Sequence, residues 1–204
     1  MLSKKREGPT LCGSVLLLSP SDTPMKLCIF SDIHGSVEAA HFMVRTVKAE
    51  QPDSVLVLGD VLYHGPRNPL PDEYLPKRVC EILNPLAPQI LAVRGNCDSA
   101  VDETMLAFPL SPGFSWLMVD SLRIFVTHGH DFGPAKLPPL REGDVLLYGH
   151  THVPQAEMRQ GIALCNPGSL ALPKHGLPRS YGILENRLFR VMTCGGELHM
   201  SLAL

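Results

Sequence analysis

The fold is decided by residues 26–60, which read KLCIFSDIHGSVEAAHFMVRTVKAEQPDSVLVLGD. Two short runs rich in Val, Ile and Leu, KLCIF and SVLVL, are typical of buried strands. Ser36 is a good N-cap residue for a helix between them. Apolar residues recur there on one helical face, at Val37, Ala40, Val44 and Val47. Strand, helix, strand is the βαβ unit, which predicts a largely parallel sheet covered by helices.

Short apolar runs continue along the rest of the chain, and a second helix is predicted over residues 76–83. Beyond Phe114 the runs lie close together and are joined by turn residues, which predicts antiparallel hairpins with turns at residues 185–187 and 193–197. The expected architecture is an α/β protein with two sheets packed face to face and helices outside. The predicted strands of this part are residues 115–119, 123–127, 144–148, 156–159, 162–164, 181–185, 188–192 and 198–202.

The amino-terminal residues differ from the rest of the chain. A charged KKRE is followed by a short apolar run that Cys12, Gly13 and Ser14 interrupt, which argues against a secretory signal. We therefore expect residues 1–24 to be a disordered extension and residues 25–204 to form a single domain, a length that suits one core.

Composition argues against several classes of protein. A net charge of −2 and a pI near 6.5 leave no broad basic field for a nucleic acid. No stretch approaches the ~20 apolar residues that span a bilayer. The six cysteines are scattered without CxxC pairs, which favours reduced thiols in a cytoplasmic protein.

Metal-capable side chains follow five predicted strands in succession, in the motifs SDIHG, GD, RGNCD, THGH and GHTH. Ligands bind beyond the carboxyl ends of strands in open α/β sheets, so these motifs are expected to converge. Each motif alone is weak evidence, whereas five in a row are hard to attribute to coincidence. Their candidate residues are Asp32, His34, Asp60, Asn96, Cys97, Asp98, His128, His130, His150 and His152.

These motifs, with VLGDVLYHGPRN and the later CNPGS, resemble the calcineurin-like metallophosphoesterase superfamily, and within it the small bacterial YfcE-like phosphodiesterases. The resemblance covers the chain from about Met25 nearly to its end. It implies a metallophosphoesterase-type β-sandwich of two mixed sheets flanked by helices. It also implies a metal-dependent hydrolase that acts on a small phosphodiester.

The resemblance implies a role for each motif residue in binding two divalent metal ions. Asp32, His34 and His152 would hold the first ion. Asn96, His128 and His150 would hold the second, and the Asp60 carboxylate would bridge both. Two cations ~3.5–4 Å apart need such a shared anionic ligand. Mixed oxygen and nitrogen ligands make Mn²⁺ the first choice, with Fe, Ni and Zn as alternatives.

The expected reaction is attack of a metal-bridging hydroxide on phosphorus, which requires no nucleophilic side chain. Cys97 stands where many members of the superfamily have a histidine that is thought to bind phosphate or protonate the leaving group. A thiol is a poorer cationic clamp, which favours diesters over dianionic monoesters. His130 and Arg67 are further candidates for binding the substrate phosphate, against the alternative of purely structural contacts.

Other functions stay open at this point. One alternative is a phosphomonoesterase or protein phosphatase, against which Cys97 argues. Another is a non-catalytic scaffold of the same fold, such as the phosphoesterase-like subunit of retromer, although such proteins tend to have lost metal ligands. A nuclease is disfavoured by the acidic charge. A homo-oligomer is expected only because symmetric oligomers are common.

Overall fold

The computed structural model describes residues 14–17, 24–111 and 113–204, and these build two mixed β-sheets with helices outside, which confirms the predicted fold class. The six-stranded sheet has the order β1-β6-β7-β8-β10-β9, and the seven-stranded sheet has the order β13-β12-β11-β2-β3-β4-β5. The strands are β1 Ser14–Leu17, β2 Leu27–Phe30, β3 Ser54–Val57, β4 Ile90–Val93, β5 Leu110–Ser111, β6 Phe114–Val119, β7 Leu122–Thr127, β8 Val145–Leu147, β9 Gln155–Arg159, β10 Ile162–Asn166, β11 Ser180–Glu185, β12 Leu188–Thr193 and β13 Leu198–Ala203. The helices are α1 Val37–Glu50, α2 Pro76–Leu83 and α3 Ala100–Met105, with a 3-10 helix at Asn84–Gln89.

The predicted βαβ unit is present, since β2 and β3 pair in parallel and α1 connects them. Helix α1 begins where the sequence indicates, because the Ser36 side chain accepts a hydrogen bond from the backbone N–H of Ala39. Its buried side chains include Val37, Ala40 and Val47, which belong to the predicted apolar face. The second predicted helix is confirmed at Pro76–Leu83.

The main core lies between the two sheets. This core includes Ile29 of the seven-stranded sheet and Leu58, which follows β3. They belong to the same buried cluster as Leu117 and Val126 of the six-stranded sheet. A second cluster lies on the outer face of the seven-stranded sheet, where α1 and α2 pack. The apolar burial on both faces of this sheet explains why β2, β3 and β4 are continuous apolar runs.

Two predictions about the sheets need correction. Strand β8 does not form an antiparallel hairpin, because it pairs in parallel with β7 and with β10. Ser14–Leu17, within the segment predicted to be disordered, form β1 and pair in parallel with β6. Residues 1–13 and 18–23 lie outside the described residues, so the prediction of disorder stays untested there.

The predicted turns at residues 185–187 and 193–197 do join antiparallel strands, β11 to β12 and β12 to β13. In the first turn Asn186 and Arg187 both have positive φ, as a two-residue hairpin turn requires. Within the described ranges, none of the helices has the length and apolar character needed to cross a bilayer. The five cysteines of the described residues are all free.

Candidate metal centre

The five motifs follow β2, β3, β4, β7 and β8, and their loops meet at the carboxyl edge of the sheets. Backbone hydrogen bonds join these loops to one another. The N–H of His34 donates to the carbonyl of Asp60 at 2.9 Å, and the N–H of Gly149 donates to the carbonyl of His128 at 2.7 Å. The loops are therefore fixed relative to one another before any ligand binds.

Asp32, His34 and His152 form the first buried group at this edge. The Nδ1 atoms of the two imidazoles face backbone carbonyls, of Tyr63 for His34 and of Leu172 for His152. A carbonyl only accepts, so each Nδ1 donates its N–H and each ring directs Nε2 into the shared space. The two Nε2 atoms are 3.2 Å apart. Two ring nitrogens at this distance require a proton or a metal ion beside them.

The Asp32 carboxylate points into the same space. Its Oδ1 atom lies 3.2 Å from Nε2 of His152 and 3.5 Å from Nε2 of His34, and it has no hydrogen-bond partner among the described residues. Its Oδ2 atom is held by the Ser31 hydroxyl at 2.7 Å and by the N–H of His150 at 3.1 Å. Burial raises the pKa of Asp32, but the two imidazoles outweigh that effect and hold the pKa well below its ordinary value. The carboxylate is thus an anion whose Oδ1 atom is available to bind a cation.

His128 forms a second group with Asp60. Its Nδ1 donates to the carbonyl of Leu58 at 2.6 Å, which leaves Nε2 directed at Oδ2 of Asp60, 3.3 Å away. Burial lowers the pKa of His128, yet the Asp60 carboxylate raises it to about 9. The same pairing lowers the pKa of Asp60 against the effect of its burial. Without a metal, a proton supplies the positive charge that this pair requires.

Asp60 lies between the two groups. Its Oδ2 atom is 3.3 Å from Nε2 of His128 and 3.8 Å from Nε2 of His34, which belongs to the first group. Its Oδ1 atom accepts the backbone N–H of Cys97 at 2.8 Å. One carboxylate therefore faces both imidazole groups, which is the position that a bridging ligand occupies.

Asp98 fixes the backbone around Asp60. One of its carboxylate oxygens accepts the N–H groups of Asp60 at 2.8 Å and Gly95 at 2.7 Å, and the other accepts that of Val61 at 2.8 Å. The side chain is buried, and burial raises its pKa. Asp98 thus positions the backbone of Asp60.

His150 and Asn96 complete the predicted ligand set. The ring of His150 lies 5.2 Å from that of His128, between centroids. Burial and the neighbouring His128 lower the pKa of His150 to about 4, so its ring is neutral at pH 7. Asn96 is exposed and lines one cavity together with His150 and Asp60. The structure therefore brings all seven predicted ligands to one place.

The backbone at this site is strained. Positive φ values are uncommon for residues other than glycine and cost free energy, and they persist where surrounding contacts impose them. Five of the seven predicted ligands have such values: Asp32 at 56°, His34 at 50°, Asp60 at 54°, His150 at 64° and His152 at 59°. This concentration of strain is typical of a functional site.

The CNPGS segment, residues 165–169, forms a support beneath the site. The Ser169 hydroxyl donates to the carbonyl of Asp32 at 2.9 Å. The amide of Asn166 donates to the carbonyl of Gly149 and to the Thr151 hydroxyl, both at 3.0 Å. Both supporting residues are buried. They connect the loop after β2 to the loop after β8.

A cavity of about 310 Å³, here called the metal-centre cavity, opens above these ligands. Arg67 and Cys97 line it, whereas the exposed His130 lies beside the ring of His128 and is not among the lining residues. Lys174 also lines it, and sequence reasoning missed this residue. A single lysine in the loop after the CNPGS segment carries no motif that could have identified it.

A two-sheet sandwich with this convergence of carboxylates and imidazoles defines the class of metal-dependent phosphoesterases. The chain belongs to the calcineurin-like phosphoesterase superfamily, whose domain model matches residues 25–187. It is 48% identical over 173 residues to phosphodiesterase YfcE of Escherichia coli K12, which covers 85% of this chain and 94% of that protein. The solved structure of E. coli YfcE, described as a phosphoesterase, matches with a TM-score of 0.86 and 46% identity over 88% of this chain and 99% of that one.

More distant relatives share the domain. The probable metallophosphoesterase YsnB of Bacillus subtilis is 29% identical over 170 residues, which is 78% of this chain and 83% of that protein. Zinc-bound Vps29 of Entamoeba histolytica matches with a TM-score of 0.55 and 19% identity, over 87% of this chain and 97% of that one. The likeness to Vps29 shows the shared fold alone. The predicted resemblance to the superfamily is confirmed.

Metal binding is expected to strengthen as pH rises from 6 to 8. The raised pKa of His128, about 9, means that a metal ion must displace a proton over this whole range. The competition weakens by up to about tenfold per pH unit. The proton also stabilises the metal-free fold fully below the unfolded pKa of ~6.5, and that contribution is lost as pH rises through about 9. The Mn²⁺-induced increase in melting temperature should therefore be larger at pH 8 than at pH 6.

An equal increase at both pH values would contradict proton competition at His128. His199→Gln is the control, because His199 is an exposed histidine outside the site and its loss should leave the pH dependence unchanged.

Proposed function

We propose that the protein is a phosphodiesterase that works with two divalent metal ions held by its seven clustered ligands. The observation that carries the proposal is the convergence of buried Nε2 and carboxylate oxygen atoms within 4 Å of one another, among which Oδ1 of Asp32 and Nε2 of His128 have no hydrogen-bond partner in the described residues. Such an arrangement is unfavourable in a folded protein unless cations occupy it. The donor set of imidazole and carboxylate groups suits borderline divalent ions.

In this proposal Asp32, His34 and His152 hold the first ion, and His128, His150 and Asn96 hold the second. The Asp60 carboxylate contacts both. Two divalent ions in these positions would neutralise phosphate charge and make water acidic enough to lose a proton near neutral pH. Mn²⁺ is the first choice for this mixed ligand set, and Fe, Ni and Zn remain alternatives.

The residues around the metal-centre cavity bind and orient the substrate. Arg67 and Lys174 are exposed cations that line the same cavity as Asp60. They favour an anionic substrate, and the Arg67 guanidinium can contact two phosphate oxygens at once. His130, whose ring centroid lies 5.5 Å from that of His128, would contact a substrate that extends beyond the cavity.

Cys97 favours diesters over monoesters. Burial raises the pKa of its thiol far above the ordinary value, so the side chain is neutral at pH 7. A neutral group here supplies no charge to a dianionic monoester, whereas a diester carries only one negative charge. The 48% identity to a protein named as a phosphodiesterase supports the same choice.

The proposal is tested by hydrolysis of bis-p-nitrophenyl phosphate and p-nitrophenyl phosphate, with metal-stripped protein and added Mn²⁺. We expect diester cleavage that depends on the metal and exceeds monoester cleavage. Faster monoester cleavage would instead support the phosphomonoesterase. An absence of activity with Mn, Fe, Ni and Zn would support the non-catalytic scaffold. The likeness to Vps29 does not favour either outcome, because it shows only a shared fold.

Cys97→His is expected to raise the ratio of monoester to diester hydrolysis by roughly 10-fold, the value of one additional charge-assisted hydrogen bond. The backbone N–H that Cys97 donates to Asp60 does not depend on the side chain, so the metal ligands should stay in place. The measurement is the ratio of kcat/KM for the two p-nitrophenyl substrates. Cys97→Ser, which stays neutral and small, is the matched control. If both variants give the wild-type ratio, Cys97 does not set selectivity.

Five free cysteines among the described residues fit a reducing compartment, and we place the protein in the cytoplasm on that ground. The acidic net charge favours a small phosphodiester over a nucleic acid as the substrate.

A further inference from the structure

A second cavity adjoins the metal-centre cavity, and Cys97 lines both. It has a volume of about 270 Å³, near the lower end of small-molecule sites, which suits one ring better than a whole ligand. We call it the aromatic cleft. Its lining residues are Leu62, Tyr63, Tyr74, Pro76, Cys97, Ser99, Val101 and Asp102.

The aromatic cleft has a different chemistry from its neighbour. None of its eight lining residues, all in the described part of the chain, is a cation. Tyr63 is 41% exposed and Val101 is 68% exposed, so apolar surface faces water here. The one carboxylate, that of Asp102, already accepts the backbone N–H of Ser99 at 2.8 Å and would repel an anion. The cleft therefore suits a neutral, apolar group.

The aromatic walls are held in position by the same loops that hold the metal ligands. The carbonyl of Tyr63 accepts the Nδ1–H of His34 at 2.8 Å. Tyr74 pairs with Ser36 in an isolated β-bridge, and its ring packs so closely on Gly35 that an added Cβ would lie 2.5 Å from it. The His64 ring lies edge-on between the two tyrosines, 4.7 Å and 5.2 Å from their ring centroids. The cleft is thus largely preformed.

We infer that the aromatic cleft binds one ester group of the substrate, and that the substrate class is phosphodiesters with a neutral aromatic ester group. This inference rests on the proposed function. The phosphate would lie above Asp60, the cations Arg67 and Lys174 would attract its charge, and the ring would lie against Tyr63 beyond Cys97. A ring on a tyrosine face gains stacking as well as apolar burial.

The test compares binding of diphenyl phosphate and diethyl phosphate to the Mn²⁺-loaded protein by isothermal titration calorimetry. Both ligands are diesters with one negative charge, so their Kd ratio reports the aromatic group whichever ester arm enters the cleft. We expect diphenyl phosphate to bind roughly 3- to 10-fold more tightly than diethyl phosphate, the value of an aromatic pair. Tyr63→Ala should remove most of this preference, and Tyr63→Phe should keep it. Leu198→Ala changes an exposed apolar residue on β13 and should bind both ligands as the wild type does.

Each outcome decides between distinct explanations. Equal Kd values in a protein that hydrolyses bis-p-nitrophenyl phosphate would overturn the inference and leave the proposed function standing. A preference for diphenyl phosphate in a protein without hydrolysis would support the cleft and refute the enzyme. If Tyr63→Ala lowers the oligomeric mass in analytical ultracentrifugation without changing the Kd ratio, the cleft is a contact between two copies of the chain and the inference is wrong.

Discussion

Asp60→Asn is expected to lower kcat/KM for bis-p-nitrophenyl phosphate by about 10³-fold or more, because each metal ion contributes several kcal/mol of charge stabilisation to the transition state. The carboxylate is the only group within 4 Å of both Nε2 of His34 and Nε2 of His128 among the ion pairs of the described residues. An amide in its place carries no charge and, in the proposed two-metal centre, should weaken both sites together. Metal content after dialysis should fall in parallel with activity.

The folded structure should survive this substitution. Asparagine tolerates the left-handed backbone at position 60, where φ is 54°, and its Oδ1 can still accept the N–H of Cys97. Circular dichroism and the urea midpoint of the metal-free protein check this point. Asp53→Asn is the matched control, since Asp53 precedes β3 at the end of the strand opposite to Asp60. Near-normal turnover of Asp60→Asn would remove the two-metal assignment.

The sequence predicted those parts of the fold that depend on the local spacing of apolar residues. The spacing of Ala40 and Val47 predicted α1, and the apolar runs predicted the strands on either side. The motif at each strand end also predicted where the candidate ligands would meet, since parallel strands present their carboxyl ends at one edge.

The parts that sequence did not predict depend on contacts between distant segments. The parallel pairing of β8 with both β7 and β10 is set by where the chain returns to the sheet, and short apolar runs do not encode direction. Strand β1 pairs with residues about a hundred positions away. Its own short sequence does not encode this distant pairing, so it was predicted to be part of a disordered extension. Lys174 reaches the metal-centre cavity only because the CNPGS segment folds beneath Asp32.

The strain at the site explains why the supporting residues matter as much as the ligands. Asp60 keeps its positive φ while the Asp98 carboxylate accepts the two N–H groups that flank the Asp60 Cα, those of Asp60 and Val61. The same carboxylate binds Gly95 from the next loop, so one side chain couples the loops after β3 and β4. Any change that separates these loops should therefore affect metal binding before it affects the core.

Gly95→Ala is the substitution that tests this coupling, and we expect it to lower kcat/KM by about 100-fold. An added Cβ would lie 2.1 Å from Oδ1 of Asp60 and 2.5 Å from its backbone nitrogen, and neither position is compatible with an intact structure. The carboxylate must shift, and a displacement of about 1 Å at a reacting centre costs on the order of 10²-fold in rate. Overpacking should also cost about 1–3 kcal/mol in the free energy of unfolding of the metal-free protein.

Gly195→Ala separates a specific displacement from a general effect of adding a methyl group. Gly195 lies in the turn between β12 and β13, where a Cβ would meet only the Thr193 hydroxyl at 3.4 Å, an ordinary contact. This variant should keep the activity and stability of the wild type. If Gly95→Ala also keeps normal kcat/KM and metal content, then the position of Asp60 is not held by the loop after β4, and the coupling through Asp98 is not needed for catalysis. If it loses metal while its urea midpoint falls only slightly, the loss arises at the ligand and not in the core, as the geometry of the two loops requires.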